Sequence, residues 1–323
     1  MRSYWIQTKD GETVLEARDV PTPKPASGQV LVRVRAAGLN RGEFIAGHGL
    51  TASGAAKPGG IEGAGEIAEI GPGVTGLAPG MRVMGRCPGA FAEYSLMDAR
   101  DALAVPERLS WEEAAAATVA FMTVHDMLIA HGRLGAGEWL LVTGIASGIG
   151  VAALQTAKAL GAKVIGTSGS AAKLERLKGL GLDVAIRTRA ADFSGAVLDA
   201  TSRRGADVAV NTVGGSVFAE CVRALALHGR LAIVGYVDGV LKGEFDLEAV
   251  HAKRLTIYGV SNKLRSAEHR AEGTRRFAAD LLSMLADGRI RPLVDRVFEF
   301  AELPEAKRHM ESDAHVGKIV LRC

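Results

Sequence analysis

The sequence predicts an α/β protein with two parts: a compact, barrel-like β domain and a doubly wound parallel sheet of six strands. In the first part, residues 1 to about 115, short strands are broken by Gly-Pro turns. From residue 138 to about 260, strands alternate with helices. That alternation favours a parallel sheet, because consecutive parallel strands need a crossover that is usually a helix.

Length and composition describe an ordinary globular protein. The chain has 323 residues, 48% hydrophobic and 23% charged, which is enough for two domains. A net charge of +3 does not indicate a nucleic-acid partner. No run approaches the roughly 18 apolar residues of a membrane span, so we expect none. The N-terminus lacks the apolar core of a signal peptide, and the three cysteines are far apart, so we expect a cytoplasmic protein.

The strands of the first part follow from alternation of apolar and polar residues. Residues 29–36 alternate as a half-buried strand does, and the segments 65–70, 82–85 and 91–96 repeat the pattern between GPG, APG and CPG turns. Residues 111–130 then become helical, and Ser110 before two glutamates is a suitable N-cap.

The second part and the C-terminal region follow from apolar runs and their spacing. The predicted parallel strands are 139–142, 162–167, 183–186, 207–211, 230–235 and 255–260. An amphipathic helix over 274–287 follows. The chain closes with a strand at 317–321, which we expect to return to the N-terminal domain.

A small-residue turn links the first parallel strand to an alanine-rich helix. It contains Ser147, Gly148, Ile149 and Gly150. Strand, tight turn and helix form the entry of a dinucleotide-binding unit, where the helix N-terminus offers N–H groups to a pyrophosphate. The strict G-x-G-x-x-G pattern is not met, so the alternative is a close strand–helix junction without a ligand.

The end of the second parallel strand indicates the cofactor. An NAD site places an acid about 20 residues after the glycines. Here Ser168, Ser170 and Lys173 occur instead, and no acidic residue lies between Thr167 and Glu175. Hydroxyls and an ammonium favour a 2′-phosphate, so the sequence predicts NADP(H). The alternative is a capped, solvated helix start.

Several collinear motifs carry a resemblance to a known family. They are AAGLNRGEF, GIEGAGEIAEIGPGV, AAAATVAFMTVHDML, VTGIASGIGVAALQTAKALGAKVIGT, NTVGG and GKIVL. With them the chain resembles the zinc-independent quinone oxidoreductase branch of the medium-chain dehydrogenase/reductase superfamily. The resemblance implies a GroES-like β-barrel catalytic domain at 1–118 and 262–323, and a Rossmann NADP(H)-binding domain at 119–261. It also implies a homodimer or tetramer formed by pairing of the last parallel strand.

The resemblance also assigns roles to individual residues. Asn40 and Thr123 would be catalytic, facing the nicotinamide ribose and carboxamide; the alternatives are a turn-stabilising Asn and a helix Thr bonded to its own backbone. The cofactor-binding residues would be Ser147, Gly148, Ile149 and Gly150 at the pyrophosphate, Ser168, Ser170 and Lys173 at the 2′-phosphate with Arg187 or Arg189, Gly235 and Tyr236 near the nicotinamide, and Lys318. For Lys318, the alternative is a solvated lysine at a strand end.

We expect no metal site. The resemblance places Asn40 at the position of the first cysteine ligand of the zinc enzymes, and Ile61 before Glu62 where those enzymes have a histidine. Zinc needs about four N, S or O donors including water. His48, in the loop that follows Asn40, is a candidate proton donor; the alternative is an ordinary loop histidine without a catalytic role. When the chain is matched to the family without gaps, Ile45, Thr51 and Thr188 stand where many relatives carry a tyrosine.

The predicted function is NADPH-dependent reduction of quinones or other activated α,β-unsaturated carbonyls by hydride transfer without zinc. The partner is then a small electrophilic acceptor, with no nucleic acid and no membrane. Two alternatives stay open: a reductase of 2-enoyl thioesters carried by CoA or ACP, against which Thr51 counts, and a protein that binds NADPH without turnover.

Overall fold

The structure, a computed structural model, describes residues 1–9, 11–44 and 55–323. Its contacts divide the chain into a first unit, Met1–Met122 with Lys263–Cys323, and a second unit, Thr123–Asn262. The domains predicted from the sequence were 1–118 with 262–323, and 119–261. Ile45, His48 and Thr51 lie outside the described residues.

The described residues of the first unit begin with eight strands. They are β1 (Arg2–Lys9), β2 (Glu12–Asp19), β3 (Gln29–Gly38), β4 (Lys57–Pro58), β5 (Glu62–Ile70), β6 (Arg82–Arg86), β7 (Tyr94–Asp98) and β8 (Leu103–Ala104). The four predicted strands correspond to β3, β5, β6 and β7, with shifted ends. The hairpin β1–β2 was not predicted, because β2 is polar and largely exposed and so lacks an apolar face.

The first helix, α1, spans Trp111–Val124. Ser110 caps it as predicted: the Glu113 N–H donates to Ser110 Oγ at 3.1 Å, and the Ser110 N–H donates to the Glu113 carboxylate at 3.0 Å. The predicted helical segment 111–130 is confirmed, and its last part, His125–His131, is a π-helix.

Within the described residues, one helix, Trp111–His131, is long and apolar enough to cross a membrane by length and composition. Within the described structure, 61% of its apolar window is buried inside the protein. Core helices meet the same criteria, so this segment is weak evidence for a span.

The second unit alternates strands and helices. In chain order they are β9 (Trp139–Val142), α2 (Gly148–Ala159), β10 (Lys163–Ser168), α3 (Ala171–Lys178), β11 (Val184–Arg187), α4 (Ser194–Ala200), β12 (Ala206–Asn211), α5 (Phe218–Ala224), β13 (Leu225–Ile233), α6 (Leu247–Ala252) and β14 (Thr256–Gly259). The six strands form one parallel sheet in the order β11-β10-β9-β12-β13-β14, which confirms the predicted doubly wound sheet.

This strand order reverses between β9 and β12, and ligands of such sheets bind outside the carboxyl ends of the strands at that reversal. The sheet is well buried there, since every residue of β12 is buried. Leu141, Ile165 and Phe193 belong to the core around it. The turn after β9 is therefore held on a well-packed base.

The chain then returns to the first unit with α7 (Ala267–Asp287), β15 (Val294–Glu299), α8 (Leu303–Glu311) and β16 (Lys318–Arg322). α7 begins before the predicted residue 274, because the Ser266 hydroxyl caps it. β16 pairs antiparallel with β3, which confirms that the closing strand returns to the N-terminal domain. In the resulting seven-stranded sheet, β3 lies between β16 and β5.

Candidate functional site

Three strand ends of the first unit meet at Asn40. Lys318 begins β16, Glu62 begins β5, and Asn40 follows β3, which pairs with both of these strands. The side chains of Lys318 and Glu62 are buried, with exposures of 8% and 0%. Residues far apart in the chain thus form one polar cluster, which we call the Asn40 cluster: Asn40, Glu43, Glu62 and Lys318.

The Lys318 ammonium lies at the centre of this cluster. It donates to Leu39 O at 2.7 Å, to Asn40 Oδ1 at 2.9 Å and to Glu62 Oε1 at 2.7 Å. An ammonium has three N–H donors, and each has an acceptor here. Lys318 is therefore not a solvated strand-end lysine. Its predicted contact with the cofactor stays a prediction.

The Asn40 amide is bonded at both ends. Its Nδ2 donates to Glu62 Oε1 at 2.9 Å, and its Oδ1 accepts from Lys318. The Asn40 backbone N–H donates to Glu43 Oε2 at 3.1 Å, so Asn40 also begins the short 3₁₀ turn Arg41–Glu43. The turn-stabilising alternative is thus observed. The predicted role of Asn40 at the nicotinamide stays a prediction.

Glu43 is the most perturbed carboxyl group of the cluster. It is buried, and desolvation raises its pKa to about 8, although hydrogen bonds from Asn40 and the charge of Lys318 act in the opposite direction. At neutral pH this carboxyl is mostly protonated, so it does not add a second negative charge beside Glu62. Glu43 was not predicted as a site residue, although the sequence shows the N-x-x-E spacing of a capping box.

Glu62 also connects the cluster to α1. Its Oε2 accepts the Val119 backbone N–H at 2.7 Å. A Cβ on Gly38 would lie 2.6 Å from both Glu62 Oε1 and Ala115 O, so the close approach requires glycine at position 38. Thr123 lies on the last turn of the same helix and is half-buried. Its predicted contact with the carboxamide stays a prediction.

In the second unit, the turn after β9 has the properties of a phosphate site. Ser147 caps α2, its Oγ accepting the Gly150 N–H at 3.0 Å. Gly148 and Ile149 are the first residues of α2, where backbone N–H groups have no acceptor within the helix. A Cβ on Gly150 would lie 2.4 Å from Ile145 O, so the turn is tight. The start of a twelve-residue helix suits an anion, and a pyrophosphate fits such a donor set.

The turn after β10 is a capped helix start, as the alternative predicted. Ser170 Oγ accepts the Lys173 N–H at 3.4 Å, and Ser168 Oγ accepts the Ser170 N–H at 3.2 Å. Capping leaves the hydroxyl protons able to donate to a phosphate. The turn is therefore compatible with both alternatives.

The two candidate arginines differ in position. A Cβ on Gly169 would lie 2.3 Å from Arg189 Nε, so the Arg189 side chain lies against the turn after β10. Arg187 ends β11 and is exposed; its sheet partner is Ser168. The Thr188 hydroxyl, next to Arg187 and Arg189, donates to Asp192 Oδ1 at 2.6 Å. Arg189 is thus the arginine that the structure brings closest to Gly169.

Gly235 and Tyr236 follow β13, and Tyr236 is 40% exposed. The turn beyond them is held by Asp238, whose carboxylate accepts the N–H groups of Ser216 at 3.0 Å and Val240 at 2.8 Å. Asp238 was not predicted from the sequence. Its Y-x-D-G pattern was an available turn signal.

The two residues at the positions compared with zinc ligands either have other contacts or carry no donor. Asn40 is engaged with Lys318 and Glu62, and the position before Glu62 is Ile61, which carries no donor. Among the described residues, no group of three or more His, Cys, Asp or Glu side chains is placed to hold a metal ion. Cys87 is buried, and burial raises the pKa of its thiol to about 11.

Two family models match the chain. The model of the alcohol dehydrogenase GroES-like domain matches residues 26–107, and the zinc-binding dehydrogenase model matches residues 148–275. The first match covers most of the β domain, and the second begins at the capped turn of α2.

The similar curated proteins include much longer chains. A phenolphthiocerol/phthiocerol polyketide synthase of Mycobacterium tuberculosis is 33% identical over 313 residues, which is 95% of this chain and 14% of that protein. The highly reducing polyketide synthase pks5 of Leptosphaeria maculans is 33% identical over 267 residues, 80% of this chain and 10% of that protein. The chain thus spans about a seventh or less of these relatives.

Similar solved structures match over the full length of both chains. A mycobacterial protein in complex with NADPH is 27% identical with a TM-score of 0.89. A quinone oxidoreductase of Pseudomonas syringae is 27% identical with a TM-score of 0.87. An NAD-dependent alcohol dehydrogenase is 30% identical with a TM-score of 0.86.

Proposed function

Because the chain belongs to the medium-chain dehydrogenase/reductase superfamily, we propose that it is an NADPH-dependent reductase of quinones and other activated α,β-unsaturated carbonyls. The acceptor is a small electrophilic molecule. The observation that carries the cofactor assignment is the turn after β10, where Ser168, Ser170 and Arg189 are adjacent. No acidic residue lies between Thr167 and Glu175. The similar mycobacterial protein solved with NADPH supports it.

In this proposal the second unit binds the cofactor. The N–H groups of Gly148 and Ile149 donate to the pyrophosphate, and the helix dipole of α2 adds favourable charge. Lys173 and Arg189 contact the 2′-phosphate with charge-assisted hydrogen bonds. Bound NADPH supplies the hydride.

The remaining residues orient the nicotinamide rather than activate the acceptor. Asn40 and Thr123 are the proposed orienting residues, and Gly235 and Tyr236 pass near the ring. A quinone or enone delocalises the charge that it gains, whereas a simple ketone needs strong stabilisation of its oxyanion. We therefore assign activated acceptors to this site.

A second candidate function is reduction of 2-enoyl thioesters. It is favoured by the relatives that are polyketide synthases, one of which is named as highly reducing. The same cofactor site serves both functions, so the acceptor distinguishes them.

The test is steady-state oxidation of NADPH with 1,4-benzoquinone, 9,10-phenanthrenequinone, a simple enone and crotonyl-CoA, in the presence of EDTA, and oxidation of a primary alcohol with NADP⁺. We expect turnover with quinones and enones and none with the alcohol. Asn40→Ala should lower kcat by up to about 10²-fold, because misplacement by about 1 Å can cost that much, while Asn262→Ala serves as the exposed control. Crotonyl-CoA as the preferred acceptor would favour the second function, and binding without any turnover would overturn both.

The cofactor assignment is tested separately, by measuring the binding of NADPH and NADH to variants of the turn after β10. Lys173→Ala should weaken NADPH binding by about tenfold or more, because a charge-assisted hydrogen bond contributes about 1.5–3 kcal/mol, and should leave NADH binding unchanged. Lys178→Ala, on the same helix and paired with Glu175 at 2.7 Å, is the matched control. Arg189→Ala should resemble Lys173→Ala, and Arg187→Ala should have the smaller effect. Equal losses for NADH and NADPH would contradict the assignment.

A further inference from the structure

We propose that Lys318 and Glu62 are positioning residues that fix the Asn40 amide with its oxygen available as an acceptor for the nicotinamide half of the cofactor. The proposal rests on the proposed function, since it deepens the role of Asn40 there. For Lys318 it is an alternative to the direct cofactor contact predicted from the sequence.

The chemistry of the two neighbours determines which way the amide faces. Oδ1 lies 2.9 Å from the Lys318 ammonium, and Nδ2 lies 2.9 Å from Glu62 Oε1. A flipped amide would place its NH₂ group against the ammonium and its oxygen against the carboxylate. Both contacts would then be repulsive, because an ammonium only donates and a carboxylate only accepts.

The fixed orientation leaves a defined hydrogen-bonding group. An amide oxygen has two lone pairs, and Lys318 uses one of them. The remaining lone pair accepts from a donor, such as the carboxamide NH₂ or a ribose hydroxyl of the cofactor. The amide nitrogen is directed to Glu62, with Glu43 Oε2 at 3.3 Å and Gly38 O at 3.4 Å.

The positioning pair is itself rigid. Glu62 is fully buried and is held on its other oxygen by the Val119 N–H at 2.7 Å. Lys318 is held by Leu39 O at 2.7 Å as well as by Glu62. Since neither charge is exposed to solvent, their attraction for the amide is only weakly screened.

A double-mutant cycle tests whether Lys318 acts through Asn40. Lys318→Met should lower kcat at least about tenfold while changing the KM for NADPH less. In the Asn40→Ala background the same substitution should change kcat less than about twofold, since the amide is already absent. Additive losses in the double variant would overturn the proposal.

A second measurement is needed because Lys318→Met leaves the buried Glu62 charge unpaired, which can unfold the protein. Lys318→Arg keeps the charge but cannot reproduce three ammonium hydrogen bonds. The chain has three asparagines, Asn40, Asn211 and Asn262, so selective ¹⁵N labelling of asparagine gives three side-chain NH₂ signals. Asn40→Ala assigns the signal of interest.

In wild-type protein we expect NADPH to shift the Asn40 signal. Lys318→Arg should move that signal before NADPH is added, leave Asn262 unmoved, and remove the response to NADPH. An Asn40 signal unaffected by Lys318→Arg would overturn the proposal even if the enzyme is active. Conversely, the protein could show the predicted shifts of the Asn40 signal and yet reduce no acceptor. That result would support the positioning role of Lys318 and Glu62 and would refute the proposed function.

Discussion

Glu43 shows how a single residue acquires properties that its sequence neighbours do not suggest. Its carboxylate accepts the Asn40 N–H, as an N3 glutamate does in a capping box. On the surface such a glutamate is an ordinary ionised group. Here the surrounding core removes it from water, and its pKa rises to about 8.

This raised pKa predicts a pH dependence of stability. The native carboxyl holds its proton up to about pH 8, whereas the unfolded chain releases it near the ordinary value of 4.5. Between these values the unfolded state binds fewer protons, so the contribution of Glu43 to the free energy of unfolding falls as pH rises, by at most about 1.4 kcal/mol per pH unit. That contribution is present below pH 4.5 and is lost by about pH 8.

Glu43→Gln should remove this component, because the amide mimics the protonated carboxyl. Urea unfolding at several pH values between 5 and 9 measures it, with the exposed Glu175→Gln as the control. A variant whose pH profile is superimposable on that of wild type would show that Glu43 is ionised in the native protein.

Among the elements, the turn between β9 and α2 was predictable because its signals are local. Small residues, an N-cap serine and an apolar strand adjoin in the sequence, and the structure has Ser147 as the cap. The end of α1 was not predictable. The Tyr258 hydroxyl donates to Met127 O at 2.6 Å, and the Gly132 N–H donates to the same carbonyl at 3.0 Å, which forms a wider turn.

Gly150→Ala should damage this turn. The new Cβ would meet the Ile145 backbone at 2.4 Å, and relieving such overpacking costs about 1–3 kcal/mol. We expect a lower melting temperature and weaker NADPH binding, measured by thermal denaturation and by fluorescence titration.

The matched control is Gly195→Ala in α4, where an added Cβ has no neighbour within 4 Å. It should be neutral or stabilising by up to about 1 kcal/mol, since alanine favours a helix. Equal effects of the two substitutions would show that the α2 turn tolerates a side chain.

At the scale of the whole molecule, β14 is the edge of the six-stranded sheet, as the sequence predicted. An unpaired edge is a place where a second chain adds. We predict that two copies pair through β14 in a symmetric dimer. The half-buried Ile257 is a suitable probe, because proline removes one backbone donor from the strand.

Sedimentation velocity at micromolar concentration should show a dimer for wild type and for Ile257→Val, and a shift towards monomer for Ile257→Pro. Circular dichroism checks that the proline variant retains its secondary structure. A folded proline variant that still dimerises would exclude β14 as the interface, and a monomeric wild type would contradict the dimer itself.

The sequence by itself determined the architecture of the second unit, the helix caps at Ser110 and Ser147, and the turn residues of the proposed cofactor site. These features depend on alternation, spacing and capping within a few residues, so local physics is enough to predict them. It did not determine β2, whose polar residues carry no periodic apolar signal.

Only the tertiary structure decided the Asn40 cluster. Lys318 and Asn40 are 278 positions apart, and they meet because β16 pairs with β3. Burial then converts a strand-end lysine into the partner of Glu62, since a charge removed from water must find an opposite charge. The role of each of these side chains is set by neighbours that no local stretch of sequence contains.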